Sequence, residues 1–228
     1  MKSLIRLYES NRQFFLGLII FLFAALLLLM LFGNATTVIS LKAHRCFWVN
    51  VFFINYTFLG NGLFAISLAM FFMFYLKQKQ TGILLCTGFL LSAILIQIFK
   101  NIIGLAPIEL YTEPLQNLFY NTDNVNKNYL IFPSSYTAAA FSIAMILELK
   151  CKKTFQQIMI LLAAILVGYS RIYLVQNSIS DVLAGSLTGI FSGVIVYVLA
   201  VSKVSIKAKL KSGYKWKINE NIAEIQRG

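Results

Sequence analysis

The chain has 228 residues, of which 59% are hydrophobic and only 12% charged. That balance excludes a soluble domain with an ordinary polar surface. The formal net charge is +12, and the basic residues gather at the ends of apolar runs. This pattern points to an anionic membrane surface and away from nucleic acid, for which no aromatic-basic platform exists. Cys46, Cys86 and Cys151 are far apart and lack metal-ligand spacing, so they read as packing or lipid-facing residues, with no metal and no cofactor expected.

In chain order, residues 1–13 form a short basic segment expected on the cytoplasmic side. Phe14 to Phe32 is the first apolar run, read as a retained membrane helix because no small-residue cleavage site follows it. Asn34 to about Gly60 reads as a mixed loop whose aromatics (Phe47, Trp48, Phe52, Phe53, Tyr56) suit headgroup depth. A second span is expected from about Gly62 to Tyr75 and a third from Thr81 to Phe99, with Lys100 at its end. The polar stretch Asn101 to Phe132 contains Pro107 and Pro114, and its length suggests a functional or disordered loop. The fourth span begins after Pro133 and ends near Leu149. The fifth runs from Ile158 to about Tyr173 and the sixth from about Ser180 to Val201. Residues 203–228 form a basic tail, suited to anionic inner-leaflet lipids.

Fifteen of the 20 lysines and arginines fall at the two termini, the second-to-third loop and the fourth-to-fifth loop. The positive-inside rule therefore places both termini in the cytoplasm and the long loop outside. The domain expectation is a six-span membrane unit over residues 14–202. Gly185, Gly189 and Gly193 recur every four residues in the sixth span, a pattern for close helix contact within the bundle or between copies. Within the hydrophobic body, Arg171 and Asp181 are costly in lipid and mark a candidate site.

Three short segments resemble the motifs of the type-2 phosphatidic acid phosphatase superfamily, integral-membrane lipid phosphatases related to vanadium haloperoxidases. Ser170, Arg171 and Asp181 in SRIYLVQNSISD fall on its third motif, with Asn177 where the family has a histidine. Pro133 and Ser134 in PSSY fall on the second motif, while Ser135 replaces a glycine and Tyr136 a histidine. Lys100 in KNIIGLAPI falls on the first, but Pro107 and Ile108 stand where the family has Arg-Pro. The stretch Tyr56 to Ile66 is also similar to the family's second-span entry, so the likeness covers about Asn55 to Tyr197.

The resemblance implies an all-α, six-span helical bundle with its site at the non-cytoplasmic ends of spans three to six. It also implies a mechanism. The third-motif histidine attacks phosphorus, the aspartate orients it, the second-motif histidine protonates the leaving oxygen, and basic residues with helix amides hold the phosphate. An asparagine amide at position 177 has no nucleophilic lone pair. Tyr136 could donate a hydrogen bond, but a phenol is a poor proton shuttle at neutral pH. The residues expected to hold phosphate are Lys100, Ser134, Ser135 and Arg171, with Asn101 and Asn177 as neutral donors. Asp181 has two candidate roles, an ion pair with Arg171 or Lys100, or service to the first turn of the sixth helix. His44, the one histidine, lies in the first loop on the outer side and reads as a surface or interfacial residue.

The functional expectation is a catalytically impaired relative that binds a phosphorylated lipid headgroup or a partner protein at the outer face of the cell membrane. An active lipid phosphate or isoprenoid pyrophosphate phosphatase with altered chemistry stands as the alternative. A structural component of a membrane complex is the third reading.

Overall fold

A computed structural model describes residues 11–43, 46–103, 132–151, 153–174 and 176–200. His44, Ala106 to Ile131, the first ten residues and the basic tail lie outside the described residues, as do the expectations placed on them. The described residues are helical almost throughout. The helices are α1 (Arg12–Ala43), α2 (Phe47–Tyr56), α3 (Gly62–Met70), α4 (Lys79–Ile103), α5 (Ser135–Glu148), α6 (Thr154–Tyr173) and α7 (Ile179–Ala200). A 3-10 turn, Thr57–Gly60, extends α2, and a π-turn, Phe71–Tyr75, extends α3.

The apolar runs set these lengths. Among the described residues, four stretches are long and apolar enough to cross a bilayer: Arg12–Gly33, Lys79–Ile102, Thr154–Tyr173 and Ile179–Ala200. A fifth crossing is available if Phe47–Gly60 and Gly62–Tyr75 act as one span, bent by 60° between them. The expected fourth span corresponds to α5. With 14 residues it is about 21 Å long at 1.5 Å per residue, short of the roughly 30 Å hydrocarbon core.

The loop expected over Asn34 to Gly60 is corrected. The helix of the first run continues to Ala43 past a kink at Gly33 (φ 65°), a conformation that glycine adopts without strain. Phe47–Tyr56 is then helical in its own right. No proline interrupts 34–60, so nothing in the local chemistry stops a helix there.

α5 is the central element, buried along nearly its whole length. On one side, Phe14 and Leu18 of α1 join Phe141, Met145, Leu161 and Val167 in one apolar core. On the other, Ala65, Ala69, Leu84 and Leu85 close over Ile143 and Ile146. Lipid is as apolar as these side chains, so helix cohesion rests on close packing and interhelical hydrogen bonds. The α7 glycines supply the packing, and their partner is α5. A Cβ on Gly185 would lie 2.5 Å from the Ser134 carbonyl oxygen, one on Gly189 2.3 Å from that of Ala138, and one on Gly193 2.8 Å from Met145 Cβ. The stripe is thus spent within the bundle. Ser192 Oγ adds a hydrogen bond to Ser142 Oγ at 3.1 Å. Outward faces carry exposed Ile19, Ile20, Phe23, Met30, Ile94, Leu162 and Phe191, as a chain solvated by lipid requires.

Candidate functional site

Close contact between α5 and α7 brings three remote segments together at one end of the bundle. These are the entry to α5, the last turn of α6, and the residues leading into α7. Ser134 caps α5. Its Oγ accepts from the Thr137 amide at 3.4 Å and lies 2.9 Å from Thr137 Oγ1, the usual way an N-terminal serine satisfies a free helix amide. Its own amide donates to the Asp181 carbonyl oxygen at 3.1 Å, tying the start of α5 to the start of α7.

Asn177 is the node of the cluster. It is 3% exposed, and its Oδ1 accepts from Arg171 Nε at 3.0 Å and from Ser134 Oγ at 3.2 Å. Its Nδ2 points to Asp181 Oδ2 at 3.5 Å. Chemistry dictates this orientation of the amide. A guanidinium only donates, so the oxygen must face Arg171; an ionised carboxylate only accepts, so the NH₂ must face Asp181.

Arg171 is buried in the last turn of α6, where a cation suits the helix C-terminus. Besides Asn177 it donates through Nη1 to Gln176 Oε1, and its guanidinium carbon lies 4.2 Å from the centre of the Tyr136 ring, within cation-π range. No ion pair joins it to Asp181 among the described residues. Asp181 instead takes the second of its two expected roles. Its Oδ2 accepts from the Ser178 amide at 2.8 Å, while its own amide donates to Ser178 Oγ at 3.3 Å. This reciprocal pair is a capping box for α7. The other carboxylate oxygen, Oδ1, is buried without a hydrogen bond among the described residues.

Lys100 lies half-buried in the last turns of α4, close enough to Arg171 for the two charges to act on each other. Ser135 is exposed at the first position of α5. The structure thus gathers Ser134, Tyr136, Arg171, Asn177 and Asp181 in one bonded cluster, with Lys100 near it. Two helices, α5 and α7, begin here, and their N-terminal ends favour an anion. Sequence reasoning missed Thr137, Gln176 and Ser178. Ser178 carried a readable signal, the S-x-x-D spacing to Asp181 of a capping box. Gln176 and Thr137 carried none.

The sequence pattern of the PAP2 superfamily matches residues 81–204. The chain belongs to the PAP2 superfamily. The match spans α4 to the end of α7, and so includes every helix that builds the cluster. Two crystal structures are similar in fold. One is LpxE of Aquifex aeolicus, at 26% identity and a TM-score of 0.54, covering 72% of this chain and 94% of that one. The other is the first transmembrane PAP2-type phosphatidylglycerolphosphate phosphatase from Bacillus subtilis. Its identity is 22% and its TM-score 0.58, with 86% of this chain and 97% of that one covered. No match is found among curated proteins. With its long apolar helices, this PAP2-superfamily chain is a multi-pass integral membrane protein resembling lipid phosphate phosphatases.

Proposed function

We propose that this PAP2-superfamily protein binds a phosphorylated lipid headgroup at the Ser134–Arg171–Asn177 end of the bundle and does not hydrolyse it. The observation that carries the reading is the position of Asn177. It stands at the node where Arg171, Ser134 and Asp181 converge, which is where the family pattern supplies its nucleophilic histidine. A planar amide there bonds the surrounding groups but has no lone pair with which to attack phosphorus. Tyr136, at the family's acid position, lies against the Arg171 guanidinium and presents a phenol where the family mechanism uses an imidazole. Binding draws on Arg171, Lys100, the Ser134 and Ser135 hydroxyls, and the first amides of α5.

In this reading the bent pair α2–α3 and the short α5 complete six spans. The basic tail lies with both termini in the cytoplasm against anionic lipid, and the cluster faces outward across the cell membrane.

The test is a vesicle assay with phosphatidic acid and an isoprenoid pyrophosphate as substrates. No phosphate release is expected from either, while phosphatidic-acid binding persists and is lost in the Lys100→Ala, Arg171→Ala double variant. Turnover that disappears in Asn177→Ala or Ser134→Ala would instead establish an active enzyme of altered chemistry. A parent protein with no affinity for phosphorylated lipid would leave the structural role.

A further inference from the structure

Most of the polar groups in the cluster are bonded to one another, so the donors left for a ligand can be read group by group. Each of four helices brings one ionisable side chain: Lys100 from α4, Tyr136 from α5, Arg171 from α6 and Asp181 from α7. Arg171 gives Nε to Asn177 and an Nη1 hydrogen to Gln176, and the Tyr136 ring covers one face of its guanidinium. Nη2 has no partner among the described residues. It and Lys100 are the charged donors that remain.

The helix N-termini can be read in the same way. The Ser134 amide donates to the Asp181 carbonyl oxygen and the Thr137 amide to Ser134 Oγ. The amides of Ser135 and Tyr136 are left at the start of α5. That turn is held in place by the bend before α3, where Asn61 caps the helix and a Cβ on Gly60 would lie 2.6 Å from the Tyr136 carbonyl oxygen. At α7 the place that favours an anion already holds one. Asp181 is 1% exposed, its Oδ2 accepts from the Ser178 amide, and a carboxylate in the first turn takes up the partial positive charge of that helix end.

Lys100 and Arg171 bring two positive charges and Asp181 one negative, which leaves a surplus of one positive charge among the described residues. Asn177, between Arg171 and Asp181, carries none. A phosphate monoester has three terminal oxygens and, above a second ionisation at about pH 6, two negative charges. A phosphate diester has two free oxygens and a single charge.

Resting on the headgroup reading above, we infer that the cluster is matched to a singly charged phosphate and that its ligand is an anionic phosphodiester lipid. The two free oxygens meet Arg171 Nη2, Lys100 and the first amides of α5, and the one charge balances the surplus. A doubly ionised monoester leaves a charge and an oxygen unmatched, with Asp181 adding repulsion. A choline or ethanolamine group would bring a cation up to Lys100 and Arg171, so the substituent beyond the phosphate is uncharged. Phosphatidic acid enters in its singly ionised form.

The experiment uses the intact protein in phosphatidylcholine vesicles. Phosphatidylglycerol, a diester, is compared with phosphatidic acid, a monoester, and water-soluble glycerophosphoglycerol with glycerol phosphate. At about pH 8.5, where the monoester is doubly ionised, phosphatidylglycerol should bind about tenfold or more tightly, and extra phosphatidylcholine should not displace it. Phosphatidic acid should weaken as pH rises from about 6 to about 8.5, while phosphatidylglycerol stays level. The soluble pair should bind in the same order but more weakly; equal strength to the lipids would overturn the lipid assignment. Asp181→Asn keeps the shape and removes the negative charge, so it should improve phosphatidic acid several-fold relative to phosphatidylglycerol. An unchanged ratio in a folded variant would overturn the charge match, and if the variant does not fold, the pH profile of the parent decides. Phosphatidic acid that binds more tightly as pH rises, or as tightly as phosphatidylglycerol at the upper pH, would overturn the inference and leave the headgroup reading standing. If none of the four probes binds, both fall.

Discussion

The two ends of α5 bury polar groups to the same depth and treat them in opposite ways. At the first end, Ser134 is linked to Thr137, Asn177 and Asp181. At the other, Glu148 is fully buried and neither carboxylate oxygen has a hydrogen-bond partner among the described residues, although Cys151 lies near it and Asn11 bonds Gln157 at 2.9 Å on the neighbouring helices. Burial alone therefore does not make a site. What separates the ends is convergence. Near Ser134, three segments bring donors and acceptors that match, so each polar group lowers the cost of its neighbour. Near Glu148 no described residue offers the carboxylate a hydrogen bond to offset its desolvation.

The comparison breaks most severely if the packing that creates the first end is removed. Gly185→Val places branched carbon against the Ser134 carbonyl. It should separate α7 from α5 at a cost of about 3 kcal/mol or more, seen as loss of the folded species in size-exclusion and thermal unfolding in detergent. Asp181→Ala keeps the helices in contact but deletes the capping box. It leaves the Ser178 amide and Asn177 Nδ2 unsatisfied and should lower stability by about 2–3 kcal/mol. Arg171→Gln should affect ligand more than fold. Loss of a charge-assisted contact is worth about 2 kcal/mol, or roughly thirtyfold in affinity for phosphatidic acid, with only a small change in unfolding temperature. The smallest effect, and the one of opposite sign, is expected at the far end. Glu148→Gln removes a carboxylate without a hydrogen-bond partner among the described residues and should raise stability by about 1 kcal/mol. A large loss there would mean that Glu148 has a partner in the membrane and that the contrast is false.

The positions of α4, α6 and α7 were legible because each is a long apolar run with polar ends, a signal that depends on composition alone. The expected third span, Thr81 to Phe99, is the core of Lys79–Ile103, and Ile158 to Tyr173 lies inside Thr154–Tyr173. The region after Gly33 is helical where a loop is expected from its mixed composition, because helix formation there needs only the absence of a breaker. The bend at Asn61 was illegible for a different reason. It depends on Gly60 meeting the Tyr136 backbone, a contact between residues far apart in the chain. At the cluster, the spacing of Ser170, Arg171, Asn177 and Asp181 pointed to one place, and the structure brings Arg171, Asn177 and Asp181 together there. The spacing could not show that Asp181 would cap a helix while Asn177 stood between it and Arg171. That division follows from which atoms donate and which accept once α5, α6 and α7 have met.

The orientation of Asn177 has a genetic corollary. Its setting requires an acceptor on the Arg171 side and a donor on the Asp181 side, and a neutral imidazole offers that same pair. Asparagine and histidine codons differ only in their first base. Position 177 is thus one point mutation from histidine, and the intermediate genotype would leave no neighbouring group stranded. A laboratory selection for phosphatase activity in this chain would be expected to find that exchange early, before any change at Tyr136.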